Sequence, residues 1–349
     1  MNEIHVAIWG ATGMVGQRFV QLLAHHPWFR VAALGASDAS AGRRYAEACH
    51  WLLPTPMPAA VRDLIVQPID AVPDCPLVFS ALPSDVAGPA EENLAQEGIV
   101  VCTNASAHRL DPDVPLLIPE VNAEHTALIE VQRQRRGGKG FIVASANCSA
   151  TQLAVALNPL HEAYGVRRVS VVTMQAVSGA GYPGVPALDI LDNVIPLIPS
   201  EEDKLETEPQ KLLGQLRNGE IENAPFVTSA QCNRVPVRDG HTECVSVQLE
   251  RHATLDDVIA AWEGFATSPE VAELPSSPPR PILVSDRNNR PQPLRDRDME
   301  RGMCVAVGRV RPCPVLDFKF VVLGHNTLRG AAGGSIHNAE LLVAQGWVR

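Results

Sequence analysis

The segment Ser145-Ala146-Asn147-Cys148-Ser149-Ala150-Thr151 holds a thiol where a thiol can react. A strand-like run, Phe141-Ile142-Val143-Ala144, precedes it, and Leu153, Val155, Ala156 and Leu160 follow at helical spacing. That order places Cys148 at a helix N-terminus, where backbone N–H groups and the helix dipole favour thiolate over thiol. The bland alternative is a small buried cysteine, a common fate of free cysteines. A nucleophile needs a proton-transfer group, an oxyanion stabiliser and something to hold the substrate. Arg234 and His241 flank a turn at Asp239-Gly240. A histidine near its ordinary pKa of about 6.5 can shuttle protons at neutral pH. His25, His26, His50, His125 and His252 stand in surface-like contexts. Glu201 and Lys204 share one face of a helix running to about Leu213, a pattern equally usual in a solvated first turn. Arg109 could clamp a phosphate or carboxylate, or be a solvated loop arginine. Spacing alone leaves these pairs of readings open.

The elements around these residues are more distinctive. His5-Val6-Ala7-Ile8-Trp9 reads as a strand buried on both faces. Gly10-Ala11-Thr12-Gly13-Met14-Val15-Gly16 follows, then a helical pattern through Phe19, Leu22 and Leu23. A glycine-rich turn between strand and helix suits a dinucleotide pyrophosphate. A second strand begins at Phe29. It ends in small hydroxyl residues with two arginines close by, Ser37, Ser40, Arg43 and Arg44, which suits a ribose 2′-phosphate and hence NADP. Asp38 is the contrary signal and reads as solvent-facing. Leu77–Leu82 and Ile99–Cys102 continue the alternation of strand and helix. Ser80 and Arg109 lie just past strand ends, where a doubly wound sheet collects ligands.

After Cys148 the pattern changes. Val166–Ala176, with Gln175 near its end, and Glu243–Glu250 alternate as in an antiparallel sheet covered on one face. Ser178–Gly184 is a glycine-rich loop, and Thr254 with Asp257 reads as a helix cap. Residues 273–300, rich in proline and charge, read as an ordered surface arm. Val305–Val310 and Phe318–Leu323 close the second sheet, and a helix runs from Thr327 onward.

The chain of 349 residues suits two domains. A net charge of −10 argues against nucleic acid or an anionic membrane, while leaving room for a local cationic pocket. The eight scattered cysteines form no zinc spacing or disulfide framework, so no metal is expected. No apolar run approaches the roughly 18 residues that span a bilayer, and no signal peptide is evident. A soluble cytoplasmic protein with reduced thiols is expected.

These motifs together resemble the aspartate-β-semialdehyde dehydrogenase family, most closely its archaeal and fungal branch. The resemblance rests on Gly10–Gln17, Asn147-Cys148-Ser149, Arg234-Val235-Pro236-Val237 with Gly240-His241, Arg290–Pro293, Gly302-Met303 with Gly308-Arg309, and Asn326–Gly333. It covers almost the whole length. It implies an α/β fold: an N-terminal Rossmann-like doubly wound sheet plus an α+β catalytic and dimerisation domain. The expected domains are 1–147, with 326–349 returning to it, and 148–325. Cys148 would be the nucleophile, His241 the acid/base and Gln175 the group orienting the thiohemiacetal. Arg234 would hold the substrate carboxylate and Glu201 its amine, with Glu202 as the alternative. Arg109, Asn147 and Lys204 would bind phosphate. Gly10, Thr12, Gly13, Met14, Val15, Ser37, Ser40, Ser80, Gly179 and Asn326 would line the NADP site.

The implied reaction is reduction of L-4-aspartyl phosphate by NADPH, through a cysteine thioester, to L-aspartate 4-semialdehyde and inorganic phosphate. The resemblance also implies a homodimer and leaves its pairing into a homotetramer open. The competing enzyme is an acyl-CoA reductase of malonyl-CoA type, which shares the thiol and imidazole but has no substrate amine for Glu201 to hold. An N-acetylglutamyl-phosphate reductase is disfavoured by the second half. A non-catalytic NADP-binding regulator would have lost the thiol or the imidazole, and both are present.

Overall fold

The computed structural model describes residues 3–348, so the outermost positions of the expected domain bounds lie outside the described residues. The first half runs β1 (Ile4–Trp9), α1 (Met14–Leu23), β2 (Phe29–Ala36), β3 (Val66–Pro68), β4 (Leu77–Ser80), α2 (Ser84–Gln96), β5 (Val100–Thr103), β6 (Leu116–Leu117), α3 (Leu128–Arg136) and β7 (Phe141–Ser145). Its seven strands pair in the order β3-β2-β1-β4-β5-β7-β6, every pair parallel. β4, β5 and β7 are buried at every position, as their unbroken apolar runs require when helices cover both faces of a sheet. The strand order reverses between β1 and β4, and the crevice beyond such a reversal is where ligands settle. The turn after β1 lies there. Gly10 has φ +79°, and a Cβ on it would lie 2.4 Å from the Ala81 carbonyl oxygen. A Cβ on Gly16 would lie 2.1 Å from the Gly10 oxygen, so α1 packs directly on its own turn.

The second half contains α4 (Cys148–Tyr164), β8 (Val166–Gln175), α5 (Glu201–Leu212), β9 (Val227–Arg234), β10 (His241–Leu249), α6 (Leu255–Glu263), β11 (Ile282–Ser285), β12 (Val305–Pro312), β13 (Phe318–Gly324) and α7 (Gly333–Ala344). Six of its strands form one sheet in the order β9-β8-β10-β13-β12-β11, apart from a hairpin of Gln215–Arg217 and Glu220–Glu222. The expected antiparallel sheet is mixed: β8 with β9 and β11 with β12 run parallel. Val245, Val247 and Leu249 point into the core from β10 while Cys244 faces out, as their alternation requires. Thr254 and Asp257 form the expected capping box of α6.

The expectation of a surface arm over 273–300 needs correction. Ile282–Ser285 is an edge strand, and Ile282 and Leu283 are buried. Four residues between prolines are too short to show a period.

α4 joins the two halves. Residues 149–160 are all buried, because one apolar core draws on both sheets: Trp9, Val78 and Ile142 from one, Val169, Val247 and Phe320 from the other. A helix covered on all sides carries its first residue to the junction of the sheets. The last segment begins with a π-helical turn, Leu328–Ala332, before α7. α7 packs on the first sheet, where Ile336, Ala339 and Leu342 share a core with Phe141 and Val143.

Candidate active site

Cys148 is the first residue of α4 and is half-buried. Asn147 caps the helix, its Oδ1 accepting from the N–H groups of Ser149 at 2.9 Å and Ala150 at 3.2 Å. The expected preference for thiolate is outweighed. Burial pushes the thiol up to about 12, and the Glu201 carboxylate adds to the rise. Arg109, Arg234 and the Ser149 N–H pull the other way without reversing it. At neutral pH the resting group is the thiol, so its proton must leave during attack.

Helix α5 supplies a charged cluster beside it. The Glu201 carboxylate accepts from Asn147 Nδ2 at 3.0 Å, Lys204 Nζ at 3.0 Å and Gln175 Nε2 at 3.2 Å. Burial works against its charge, but Lys204, Asn147 and Gln175 together hold its pKa below the ordinary value. Glu202 turns away and accepts from the Cys232 N–H at 3.0 Å. Arg109 is only 8 % exposed, which removes the solvated-loop reading. It donates to Glu208 at 2.9 Å and to the Asn104 carbonyl at 2.8 Å. The other Glu208 oxygen accepts from the Asn147 N–H at 2.6 Å.

The second sheet brings Arg234, Gln175 and His241 together at the ends of neighbouring strands. Gln175 stands opposite Arg234 in register, and β10 begins at His241 on the other side of β8. Arg234 is buried, donates to the Ala176 carbonyl at 2.8 Å and pairs with no carboxylate among the described residues. Burial lowers its pKa, opposed by Cys148 and Glu201. A buried cation with one backbone acceptor suits an anionic ligand. His241 is fully buried, its Nδ1 accepting from the Ala176 N–H at 3.0 Å. Burial, Arg234 and His325 push its pKa down to about 3.

One cleft is lined by Val15, Arg109, Asn147, Cys148, Gly179, Glu201, Lys204 and Asn326. Gln175, Arg234 and His241 lie behind this lining. A Cβ on Gly179 would come within 2.8 Å of an Arg234 nitrogen and 3.2 Å of His241 Nε2. Met14 lines the adjoining hollow with Arg18 and Tyr182.

A dinucleotide fits the glycine turn. Gly13 caps α1 without a side-chain hydrogen bond, so the first N–H groups of α1 have no side-chain acceptor, and Val15 lies on the cleft with Cys148. Ser37 is exposed and Ser40 half-exposed at the end of β2, away from the thiol cleft. Asp38 is exposed, as expected. Arg44 is held by Glu47 at 2.8 Å, and Arg43 donates to the Glu47 carbonyl at 2.5 Å. Ser80, expected at the cofactor, is fully buried, and its hydroxyl donates to Glu91 at 2.6 Å. Asn326 is engaged at both ends, accepting from the Gly240 N–H and donating to Ser178 Oγ, each at 2.8 Å.

Sequence reasoning missed Ser84, Asn104 and Ser106 on the rim and Glu208 beneath it. The rim residues are ordinary loop types. His125 departs from its surface-like context: it is fully buried and its Nε2 meets the Gly214 carbonyl at 3.1 Å. His26 is largely covered, bonded to Glu340 at 2.7 Å.

A parallel dinucleotide-type sheet facing a helix-capped thiol, a buried imidazole and a buried unpaired arginine defines a class: nucleotide-dependent oxidoreductases acting through cysteine. Two family descriptions match, "Semialdehyde dehydrogenase, NAD binding domain" over residues 5–129 and "Semialdehyde dehydrogenase, dimerisation domain" over 157–329. An aspartate-semialdehyde dehydrogenase of Methanothermobacter thermautotrophicus is 51 % identical over 343 residues, 97 % of this chain and 99 % of that protein. The crystal structure of aspartate semialdehyde dehydrogenase with NADP from Candida albicans superposes with a TM-score of 0.92 at 40 % identity, covering 99 % of this chain and 100 % of that one. Aspartate semialdehyde dehydrogenase II complexed with ASA from Vibrio cholerae gives a TM-score of 0.79 at 26 % identity, covering 98 % and 99 %. The chain belongs to the aspartate-semialdehyde dehydrogenase family.

Proposed function

We propose that the protein reduces L-4-aspartyl phosphate to L-aspartate 4-semialdehyde, with release of phosphate. The observation that carries this reading is buried Arg234, a cation without a carboxylate partner among the described residues, behind a cleft that Glu201 lines. A cation and an anion that both act on one thiol match the α-carboxylate and α-amine of an amino acid. An acyl-CoA offers no amine, which disfavours the malonyl-CoA reading. The thiol, the imidazole and the uncapped turn disfavour a non-catalytic regulator.

In this reading the Cys148 sulfur attacks the acyl carbon, the carbon–oxygen bond to phosphate breaks, and a thioester remains. Arg109, Lys204 and Asn147 hold the departing phosphate. A thioester accepts hydride better than an ester, which accounts for cysteine rather than serine. Gly10, Thr12, Gly13, Met14, Val15, Ser37, Ser40, Ser80, Gly179 and Asn326 would hold NADPH, which would supply the hydride when bound. Gln175 and His241 orient the oxygen of the tetrahedral adduct.

Residues 1–147 with the returning 326–349 form the nucleotide-binding domain, and 148–325 the catalytic and dimerisation domain. The packing of α7 on the first sheet supports this division. The dimerisation-domain match supports a homodimer. No described helix is long and apolar enough to cross a membrane, and we place the protein in the cytoplasm.

The test is an assay of phosphate-dependent NADP reduction by aspartate semialdehyde, beside NADPH oxidation by malonyl-CoA. The first reaction proceeds and the second does not. Cys148→Ala abolishes turnover and keeps NADP binding; near-normal turnover in that variant would sink the mechanism.

A further inference from the structure

The loop after β5 carries Asn104, Ser106 and Arg109 onto the lining of the cleft. Behind it lies a buried cluster that the chemistry above leaves unused. Glu91, from α2, is fully buried, and its Oε1 accepts from the hydroxyls of Ser80 and Thr103, each at 2.6 Å. These two residues end β4 and β5, so one carboxyl clasps both strand ends. The loop starts from this clasp: the Asn104 N–H donates to the Ser80 carbonyl at 2.9 Å, and the Ala105 N–H donates to the Thr103 hydroxyl at 3.0 Å. His108 is buried further along the loop. Its Nδ1 meets Asp111 Oδ2 at 2.9 Å, and its Nε2 stands 3.7 Å from Glu91 Oε2. Neither Nε2 nor Oε2 has a hydrogen-bond partner among the described residues. A shift of about 0.7 Å brings them to the ordinary N–O length of about 3.0 Å.

We propose that Glu91 and His108 form a proton-bridged clasp that positions the 104–109 loop, and with it the Arg109 fork, while placing no net charge behind the phosphate subsite. This rests on the reading that Arg109 holds the departing phosphate, and it adds two positioning residues to that subsite. Arg109 Nη2 donates to the Asn104 carbonyl at 2.8 Å, so the shape of the loop sets where the fork lies.

The proton count follows from the partners. Asp111 Oδ2 also accepts from Arg136 at 2.9 Å, so a carboxylate faces His108 Nδ1, and Nδ1 carries a proton. One further proton then serves Nε2 and Oε2 together. Burial raises the Glu91 carboxyl, and the Ser80 and Thr103 hydroxyls and His108 oppose the rise. With the proton on the acid, both groups are neutral. With the proton on the ring, their charges cancel. Either way an incoming phosphate meets no net negative charge from this pair, whereas a lone buried carboxylate close to an anion site would repel it.

The test is kinetic, with NADP and aspartate semialdehyde as substrates and inorganic phosphate varied. Glu91→Gln copies the protonated acid. Glu91→Leu removes the clasp. His108→Asn keeps a donor for Asp111 but is too short to reach Glu91. Glu91→Leu and His108→Asn should each raise KM for phosphate about tenfold, the effect of losing roughly one hydrogen bond. Turnover at saturating phosphate and the KM values for NADP and the semialdehyde should change much less. Glu91→Gln should stay close to wild type in KM for phosphate. An unchanged phosphate KM in Glu91→Leu and His108→Asn would overturn the proposal, as would Glu91→Gln as impaired as Glu91→Leu. A merely structural role would lower Tm and leave every KM in place. If Glu91→Leu does not fold, the contrast between Glu91→Gln and His108→Asn decides the matter. Hydrogen exchange read by mass spectrometry gives a measure independent of substrate: amides of residues 104–111 should exchange faster in His108→Asn than in wild type, and unchanged exchange would refute the clasp. Failure of the substrate reading is distinct: wild-type protein would then lack phosphate-dependent NADP reduction, and the exchange result alone would decide whether the clasp holds the loop.

Discussion

Glu208 is the residue whose importance the chain conceals best. It is one acid in a run that also holds Glu201, Glu202, Asp203 and Glu206. Only its place on the helix separates it. Glu201, Lys204, Glu208 and Lys211 recur at helical core spacing, and all but Lys204 are buried. Charged residues at apolar positions are the one signal that could have found them. Lys211 Nζ donates to the carbonyls of Arg109, Asp111 and Val114 at 2.7–2.9 Å, fixing the loop that carries Arg109. Glu208 then fixes the Arg109 fork and the Asn147 N–H with one carboxylate. Glu208→Gln keeps an acceptor for Asn147 and removes the charge facing Arg109. A charge-assisted hydrogen bond contributes about 1.5–3 kcal/mol, so KM for phosphate in the oxidative direction should rise about tenfold or more. NADP affinity should change little. Initial-rate kinetics with phosphate varied would check it, and a shift confined to NADP would refute the placement.

The elements were more legible than the contacts between them. Apolar runs and alternation marked nearly every strand that positions the site, and the glycine turn announced its sheet. Gln175, Arg234 and His241 emerged separately from the pattern, but their side-by-side placement depends on strand order. A local period of two carries no information about which strands pair. The Asn326–Gly333 segment was visible as a motif, while its physical reason was hidden. Arg329 forms a buried bidentate pair with Glu120, at 2.6 and 2.8 Å, which pins the π-helical turn against the short helix Pro119–Asn122. A Cβ on Gly330 would lie 2.6 Å from the Cβ of Cys148 and 2.8 Å from its Cα. Neither neighbour can yield without moving the thiol. Gly330→Ala should lower kcat by about 10²-fold, the cost of displacing a reacting group by about 1 Å. Alkylation of Cys148 by iodoacetamide, followed by mass spectrometry, should change rate in parallel while NADP binding holds. Unchanged kcat and alkylation would mean that the turn does not position the thiol.

At the scale of the molecule, the site occupies the junction of two sheets, and closing that junction buries groups that prefer water. Their titration predicts how stability follows pH. His125 and His241 are held neutral, their pKa values pushed down mainly by burial to about 4 and about 3, and His325 is lowered for the same reason. Between about pH 4 and the unfolded value of about 6.5, the unfolded chain binds protons that these folded imidazoles refuse. Their contribution is therefore complete above about 6.5 and is lost as pH falls through that window. Glu243 acts in the opposite sense. Burial raises its carboxyl to about 8, against the opposing hydrogen bond from Gln152, and Glu91 is raised for the same reason. A proton held in the folded state and released on unfolding gives stability that declines as pH rises from about 4.5 to about 8. Five lowered imidazoles, His161 and His337 included, outnumber two raised carboxyls on the acid side, and between about pH 6.5 and about 8 the raised carboxyls act. Thermal unfolding should therefore show its highest Tm near pH 6.5, with a fall on either side. Glu243→Gln, which copies the neutral acid, should flatten the alkaline fall and leave the acid limb in place. Calorimetry of both proteins across this range decides the matter: an alkaline slope that persists unchanged in the variant would show that Glu243 does not hold its proton in the folded protein.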